Sequence, residues 1–133
     1  MKLPGFLLAL PIVVGVAACD KSGSLKKGVV VLSGCRTEVF GNEEVKICYD
    51  SLVSDSRCPA DGVCIWQGEA TGKFSFTVNN ATKHTLALST LNYGPYNRDT
   101  IVGNYKIELL AIDPYPRVHA PRPASASVNI TKL

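Results

Sequence analysis

Five stretches of this chain alternate apolar and polar residues with a period of two. Val45, Ile47 and Tyr49 alternate with Lys46 and Cys48, and Phe74, Phe76 and Val78 with Ser75 and Thr77. Leu86 and Leu88 alternate with Thr85 and Ala87, Tyr105, Ile107 and Leu109 with Lys106 and Glu108, and Val128 and Ile130 with Asn129 and Thr131. A strand sends successive side chains to opposite faces, so this period gives each stretch one face for a core and one for water. Val29-Val30-Val31-Leu32 is a short apolar run closed by Ser33-Gly34. Turn pairs punctuate the series at Gly41-Asn42, Asn79-Asn80, Asn92-Tyr93-Gly94-Pro95 and Gly103-Asn104. No stretch keeps helical apolar spacing over three turns. The pattern predicts an all-β domain over residues 29–133, an antiparallel sandwich or small barrel of about six to seven strands. No cysteine follows Trp66 at the distance an immunoglobulin domain requires. Residues 114–123 hold Pro114, Pro116, Pro121 and Pro123 and read as an extended connection or edge segment before the last strand.

The amino terminus follows different rules. Lys2 precedes an apolar run over residues 3–16, ending in Val16-Ala17-Ala18-Cys19. A basic start, a short apolar stretch and small residues before a cut make a secretory signal peptide, here residues 1–18. Residues 3–18 are too few for the roughly 20 that a membrane-crossing helix needs, and Pro4 and Pro11 weaken a helix further. Small residues followed directly by cysteine resemble the lipobox of bacterial lipoproteins. The resemblance implies that Cys19 receives a diacylglycerol thioether and becomes the acylated first residue of the mature chain. Residues 19–28 then form a lipidated, flexible tether, with Ser22, Gly23 and Ser24 among Lys21, Lys26 and Lys27. The expected membrane partner is met through the lipid at Cys19, and these lysines are placed to touch anionic headgroups. The expected location is the bacterial cell envelope, outside the cytoplasm. The outer membrane is favoured; the inner one stays open because Asp20 resembles a retention signal of some bacteria.

Removing the leader leaves 115 of 133 residues and lowers the side-chain net charge from +3 to +2, since Lys2 is its only charge. That is one modest domain without the basic excess of a nucleic-acid binder. Setting Cys19 aside, four of five cysteines remain: Cys35, Cys48, Cys58 and Cys64. An even number in an exported domain reads as two disulfides. Three pairings are open; Cys35–Cys48 with Cys58–Cys64 is favoured because each bridge closes a local loop, the second around Asp61-Gly62. A zinc site on the four thiolates lacks the usual paired knuckles.

The densest segment is Asp55-Ser56-Arg57-Cys58-Pro59, a short loop, then Cys64-Ile65-Trp66-Gln67-Gly68-Glu69-Ala70. It resembles a group of uncharacterised bacterial envelope proteins carrying D-S-R-C-P and C-x-W-x-G-E-A. The likeness extends to residues 105–109 and to Asp113-Pro114-Tyr115-Pro116, and implies export and a common fold without implying an activity. Read as structure, Trp66 two residues after Cys64 on one strand face would cover a disulfide. Arg57 would lock the loop through Asp55, Asp61 or Glu69, and Gly68 would permit a bulge or close backbone approach. Read as chemistry, Asp55, Asp61 and Glu69 would line a cation or ligand site, although no calcium-loop spacing is present.

His84 and His119 lie 35 residues apart and suggest no metal pair. There is no nucleophile elbow and no glycine-rich phosphate loop, so neither catalytic residues nor a cofactor is expected. Asp50-Ser51-Leu52 and Asp99-Thr100-Ile101 match the triplet that some bacteria O-glycosylate. The loop over residues 93–99 pairs Tyr93 and Tyr96 with Asn97, Gly94 and Arg98, the composition of adaptable binding loops. Tyr93, Tyr96, Arg98 and Tyr115 form the expected binding surface. The expected function is a non-catalytic, lipid-anchored binding or structural module of the envelope that meets a protein or glycan. An envelope enzyme or metal-binding accessory built on Asp55, Asp61 and Glu69 is the alternative.

Overall fold

A computed structural model of the protein describes residues 28–119 and 125–133. The expected leader, Cys19, most of the expected tether and residues 120–124 of the proline-rich segment lie outside the described residues. Eight strands are present: β1 (Val29–Leu32), β2 (Cys35–Phe40), β3 (Glu43–Asp55), β4 (Ala70–Val78), β5 (His84–Ser89), β6 (Asp99–Val102), β7 (Tyr105–Asp113) and β8 (Ser125–Lys132). They form two antiparallel sheets, ordered β1-β8-β7-β6 and β2-β3-β4-β5. The two sheets make a sandwich, and the barrel alternative falls because neither sheet closes on itself.

Eight strands exceed the expected six to seven, and the two that no apolar stretch marked, β2 and β6, are edge strands with weak patterns. In β2, Arg36 and Glu38 stand opposite Ile47 and Val45, so charged residues occupy the core-facing positions of an edge. Inward charges protect an edge from pairing with other chains, and they also erase its apolar alternation. β6 is four residues long, too short to show a period.

The core forms where the two inward faces meet. Val45 and Ile47 of β3 and Phe74 and Phe76 of β4 face Ile107 and Leu109 of β7 and Val128 and Ile130 of β8, all buried. Register shifts move the inward parity. β7 buries Tyr105, Ile107 and Leu109, shifts between Leu109 and Ala111, and then buries Ile112. β3 points Val45, Ile47 and Tyr49 inward, shifts after Tyr49, and returns Leu52 to the core. A bulge inserts one residue and so exchanges the faces beyond it, while adding twist.

One end of the sandwich carries the turns at residues 41–42, 79–80 and 103–104, together with Gly28, whose carbonyl accepts from Ile130 N at 2.7 Å. There Tyr105 packs on Phe40 and Phe76, with centroids 5.6 and 5.8 Å apart, and its hydroxyl donates to Glu43 Oε2 at 2.5 Å. Lys132 Nζ lies 2.6 Å from the same oxygen. Hydrogen bonds from Lys132 and Tyr105 hold the Glu43 carboxyl below its ordinary pKa. Burial and the Glu43 contact push the Tyr105 phenol up to about 12. The opposite end carries the long connections over residues 56–69 and 90–98 and the segment over residues 114–119.

Candidate functional site

The long connections form one restrained surface. The β3–β4 hairpin continues beyond its strands, with Ser56 N donating to Glu69 O at 2.8 Å and Cys58 N to Gln67 O at 3.3 Å. The Ser56 hydroxyl donates to Glu69 O at 3.1 Å and accepts from Glu69 N at 3.0 Å. Gly68 makes this approach feasible. Its φ is +67°, and a Cβ there would overlap the Ser56 carbonyl and stand 2.8 Å from Arg57 Cα. The close backbone approach expected of Gly68 is therefore present.

Both local disulfides form. Cys58–Cys64 closes the loop tip, where Gly62 N donates to Pro59 O at 2.9 Å across the expected turn. Cys35–Cys48 joins directly opposed residues of β2 and β3. Because Ile47 and Tyr49 point inward, this second bridge sits on the outer face of its sheet, beside Ser75. That face holds a cleft of about 190 Å³ between Lys46 and Lys83.

Arg57 fixes the loop to both sheets. Its Nε and Nη2 donate to Asp55 Oδ1 and Oδ2 at 2.9 and 2.7 Å, and Nη1 donates to Ile112 O of the other sheet at 2.7 Å. The Tyr115 ring lies under the guanidinium, 4.9 Å from centroid to Cζ. Side-chain exposures of 7% and 13% make Arg57–Asp55 a nearly buried pair, one that survives desolvation because several hydrogen bonds share the charge.

The other two carboxylates go elsewhere. Asp61 Oδ1 accepts from Val118 N at 2.9 Å, next to Ala60 N donating to Pro116 O at 2.9 Å. Glu69 Oε2 accepts from Ser89 Oγ at 2.6 Å. Arg57 thus locks the loop through Asp55 alone, and each of the three acids has its own structural partner. Among the described residues, no three His, Cys, Asp or Glu side chains are grouped to hold a metal. His84 begins β5 at the Gly28 end, whereas His119 follows β7 at the other.

Trp66 departs from expectation. Residues 64–68 are not in a strand, so the two-residue rule that would place its ring over the disulfide has no extended backbone to act on. The ring is 65% exposed and faces the β5–β6 connection instead. Trp66, Gln67, Gly68, Glu69, Tyr93 and Gly94 line a cleft of about 260 Å³. A neighbouring cleft of about 200 Å³ lies between Arg57, Tyr115, Thr90, Leu91, Leu110 and Ala111, sharing Gln67 and Gly68 as a ridge.

Tyr93 and Tyr115 line these two clefts, and Tyr96 is exposed nearby in sequence. Arg98 is turned back onto β7, where its Nε donates to Leu109 O at 3.2 Å and lies 3.3 Å from Glu108 Oε1. Its backbone N donates to Asn92 Oδ1 at 2.7 Å, which closes the loop. Val63, Ile65 and Val118 extend the exposed apolar surface at the same end. Trp66 was the residue to add to the expected surface; its signal is the run Val63-Cys64-Ile65-Trp66, apolar yet outside any alternating stretch. Comparison with known protein families, curated proteins and solved structures finds no match.

Proposed function

We propose that the protein is a lipid-anchored, non-catalytic binding module of the bacterial cell envelope, held at Cys19 and meeting its partner through the loop end of the sandwich. The observation that carries this reading is the concentration of exposed Trp66, Tyr93, Tyr96, Tyr115, Val63, Ile65 and Val118 on three connections at one end. Large exposed rings rimmed by polar groups are the composition of binding surfaces. The direction of the chain agrees with it. Gly28 enters the sandwich at the opposite end, so an anchor nine residues earlier at Cys19 would attach the domain by the end remote from the aromatic surface. Nine residues reach at most about 30 Å when fully extended, enough to lift the domain off the headgroups without hiding that end.

The test is made in intact envelopes with a photo-crosslinking residue placed at Tyr93 or, as control, at Asn42 in the opposite turn. Adducts are expected from the Tyr93 position only. Equal or stronger crosslinking from Asn42 overturns the assignment of the surface. Lipidation is checked separately: the chain should leave the membrane fraction when Cys19 is replaced by Ser, and an unchanged distribution would overturn the anchor.

A further inference from the structure

The cleft between Trp66 and Tyr93 carries a chemistry that narrows its ligand. Its walls combine two exposed aromatic side chains with one charged group, Glu69, and no basic one. The carboxylate is held in place, since Oε2 accepts from the buried Ser89 hydroxyl at 2.6 Å. Oε1 lies against Gly94, where a Cβ would stand 2.5 Å from it. The absent side chain at residue 94 therefore makes room for the carboxylate beside the tyrosine.

Each ligand class sets its own demand on such a cleft. A sugar brings more hydroxyls, each needing a partner once desolvated, than the Gln67 amide, the Glu69 carboxylate, the Tyr93 hydroxyl and the Trp66 N–H can serve. An anion meets a negative charge. A neutral apolar group would strip water from Glu69 without replacing it. A substituted ammonium fits on every count, because its charge faces the carboxylate and its methyl groups pack on ring faces that attract cations. The volume of about 260 Å³, just below the usual range of small-molecule pockets, suits a compact head rather than a polymer.

We propose that this cleft binds a small, soluble trimethylammonium compound, with its methyl groups against Trp66 and Tyr93 and its charge opposite Glu69. The inference rests on the reading that the loop end is the binding surface, and it adds the ligand class. Trp66 is the only tryptophan of the chain, so its emission reports occupancy directly. The full chain is titrated with tetramethylammonium chloride, with sodium chloride at matched ionic strength, and with uncharged tert-butanol. A saturable change is expected for the ammonium alone, with affinity for the alcohol at least about tenfold weaker.

Glu69→Gln keeps an acceptor for Ser89 and removes the charge, and should weaken binding about tenfold. Tyr93→Ala alters a side chain that is 82% exposed, and should weaken binding about fivefold with the melting temperature unchanged. No saturable response, equal affinity for the alcohol, or full affinity in Glu69→Gln overturns the proposal. If crosslinks at Tyr93 still form under those outcomes, the ligand class is lost and the binding surface stands.

Discussion

Gly68 offers the sharpest test of how the loop end is held, because a second glycine provides its control. Gly68 and Gly41 share a φ of +67°, but a Cβ at Gly41 meets nothing within 4 Å, whereas at Gly68 it overlaps Ser56. Alanine at Gly41 therefore bears the left-handed backbone penalty alone, about 1 kcal/mol. Alanine at Gly68 bears the same penalty and must also push the strand of Ser56 and Arg57 away. Relief separates Ser56 N from Glu69 O and Cys58 N from Gln67 O, and strains the two bonds of the Ser56 hydroxyl. At about 1 kcal/mol net per hydrogen bond, the additional loss is roughly 2–3 kcal/mol, for a total near 3–4 kcal/mol. For a domain of this size each kcal/mol lowers Tm by about 4–8 °C. The expected falls are then about 4–8 °C for Gly41→Ala and about 12–30 °C for Gly68→Ala. Thermal and urea unfolding followed by far-ultraviolet circular dichroism measures both, and hydrogen exchange at Ser56 and Cys58 reports the hairpin directly. Equal losses for the two variants, with exchange at Ser56 unchanged, would falsify the argument from close approach.

Three further perturbations probe other parts of the frame. Arg57→Ala strands the nearly buried Asp55 carboxylate and the Ile112 carbonyl, and should cost about 3–5 kcal/mol in urea unfolding. The double variant Asp55→Asn, Arg57→Met should cost less than the single one, and a larger loss would show that charge pairing is not the cause. Tyr49→Phe removes a buried hydroxyl that finds no partner among the described residues, and should raise stability by about 1 kcal/mol; a loss of stability would reveal an unseen partner. The Tyr105 phenol keeps its proton to about pH 12 when folded and to its ordinary value of 10 when unfolded. The unfolded chain therefore releases that proton first, and stability present below pH 10 should fall as pH rises toward 12. Glu43 acts in the opposite sense: its lowered pKa lends stability above the ordinary carboxylate range, which is lost as pH falls through the folded value. Tyr105→Phe should flatten the alkaline limb relative to the parent chain, and parallel alkaline curves would refute the assignment.

What could be read beforehand follows from where alternation is enforced. β3, β4, β7 and β8 have one face in the core and so carry the period plainly. The turns at Asn79-Asn80 and Gly103-Asn104 were legible because Asn79, Asn80 and Gly103 have positive φ, which asparagine and glycine tolerate best. β2 and β6 were not legible: one points charges inward at an edge, and the other was visible only as a modification triplet. The bulges after Tyr49 and Leu109 were equally hidden, because a parity change looks like the end of a strand. At the site, Arg57 with Asp55 and the close approach at Gly68 followed from residue chemistry and short range. The divergence of Asp61 toward Val118 and Glu69 toward Ser89 depends on partners 57 and 20 residues away, which local spacing does not encode.

The restraints at the loop end are out of proportion to its share of the core. No residue between Asp55 and Ala70 belongs to the buried cluster. Yet that segment is held by a disulfide, by the Arg57–Asp55 pair tied to Ile112 and Tyr115, and by the Gly68 approach. Core burial cannot account for three independent restraints on a segment that buries so little. Preorganisation can. Each rotamer-rich side chain ordered on binding costs about 0.5–1.5 kcal/mol, and a loop already fixed spares the backbone part of that loss. Gly68→Ala should therefore weaken any ligand of the Trp66 cleft even where the sandwich stays folded. About 1.4 kcal/mol of added ordering corresponds to a tenfold loss of affinity. A folded Gly68→Ala protein that binds as tightly as its parent would leave those restraints without a role in binding.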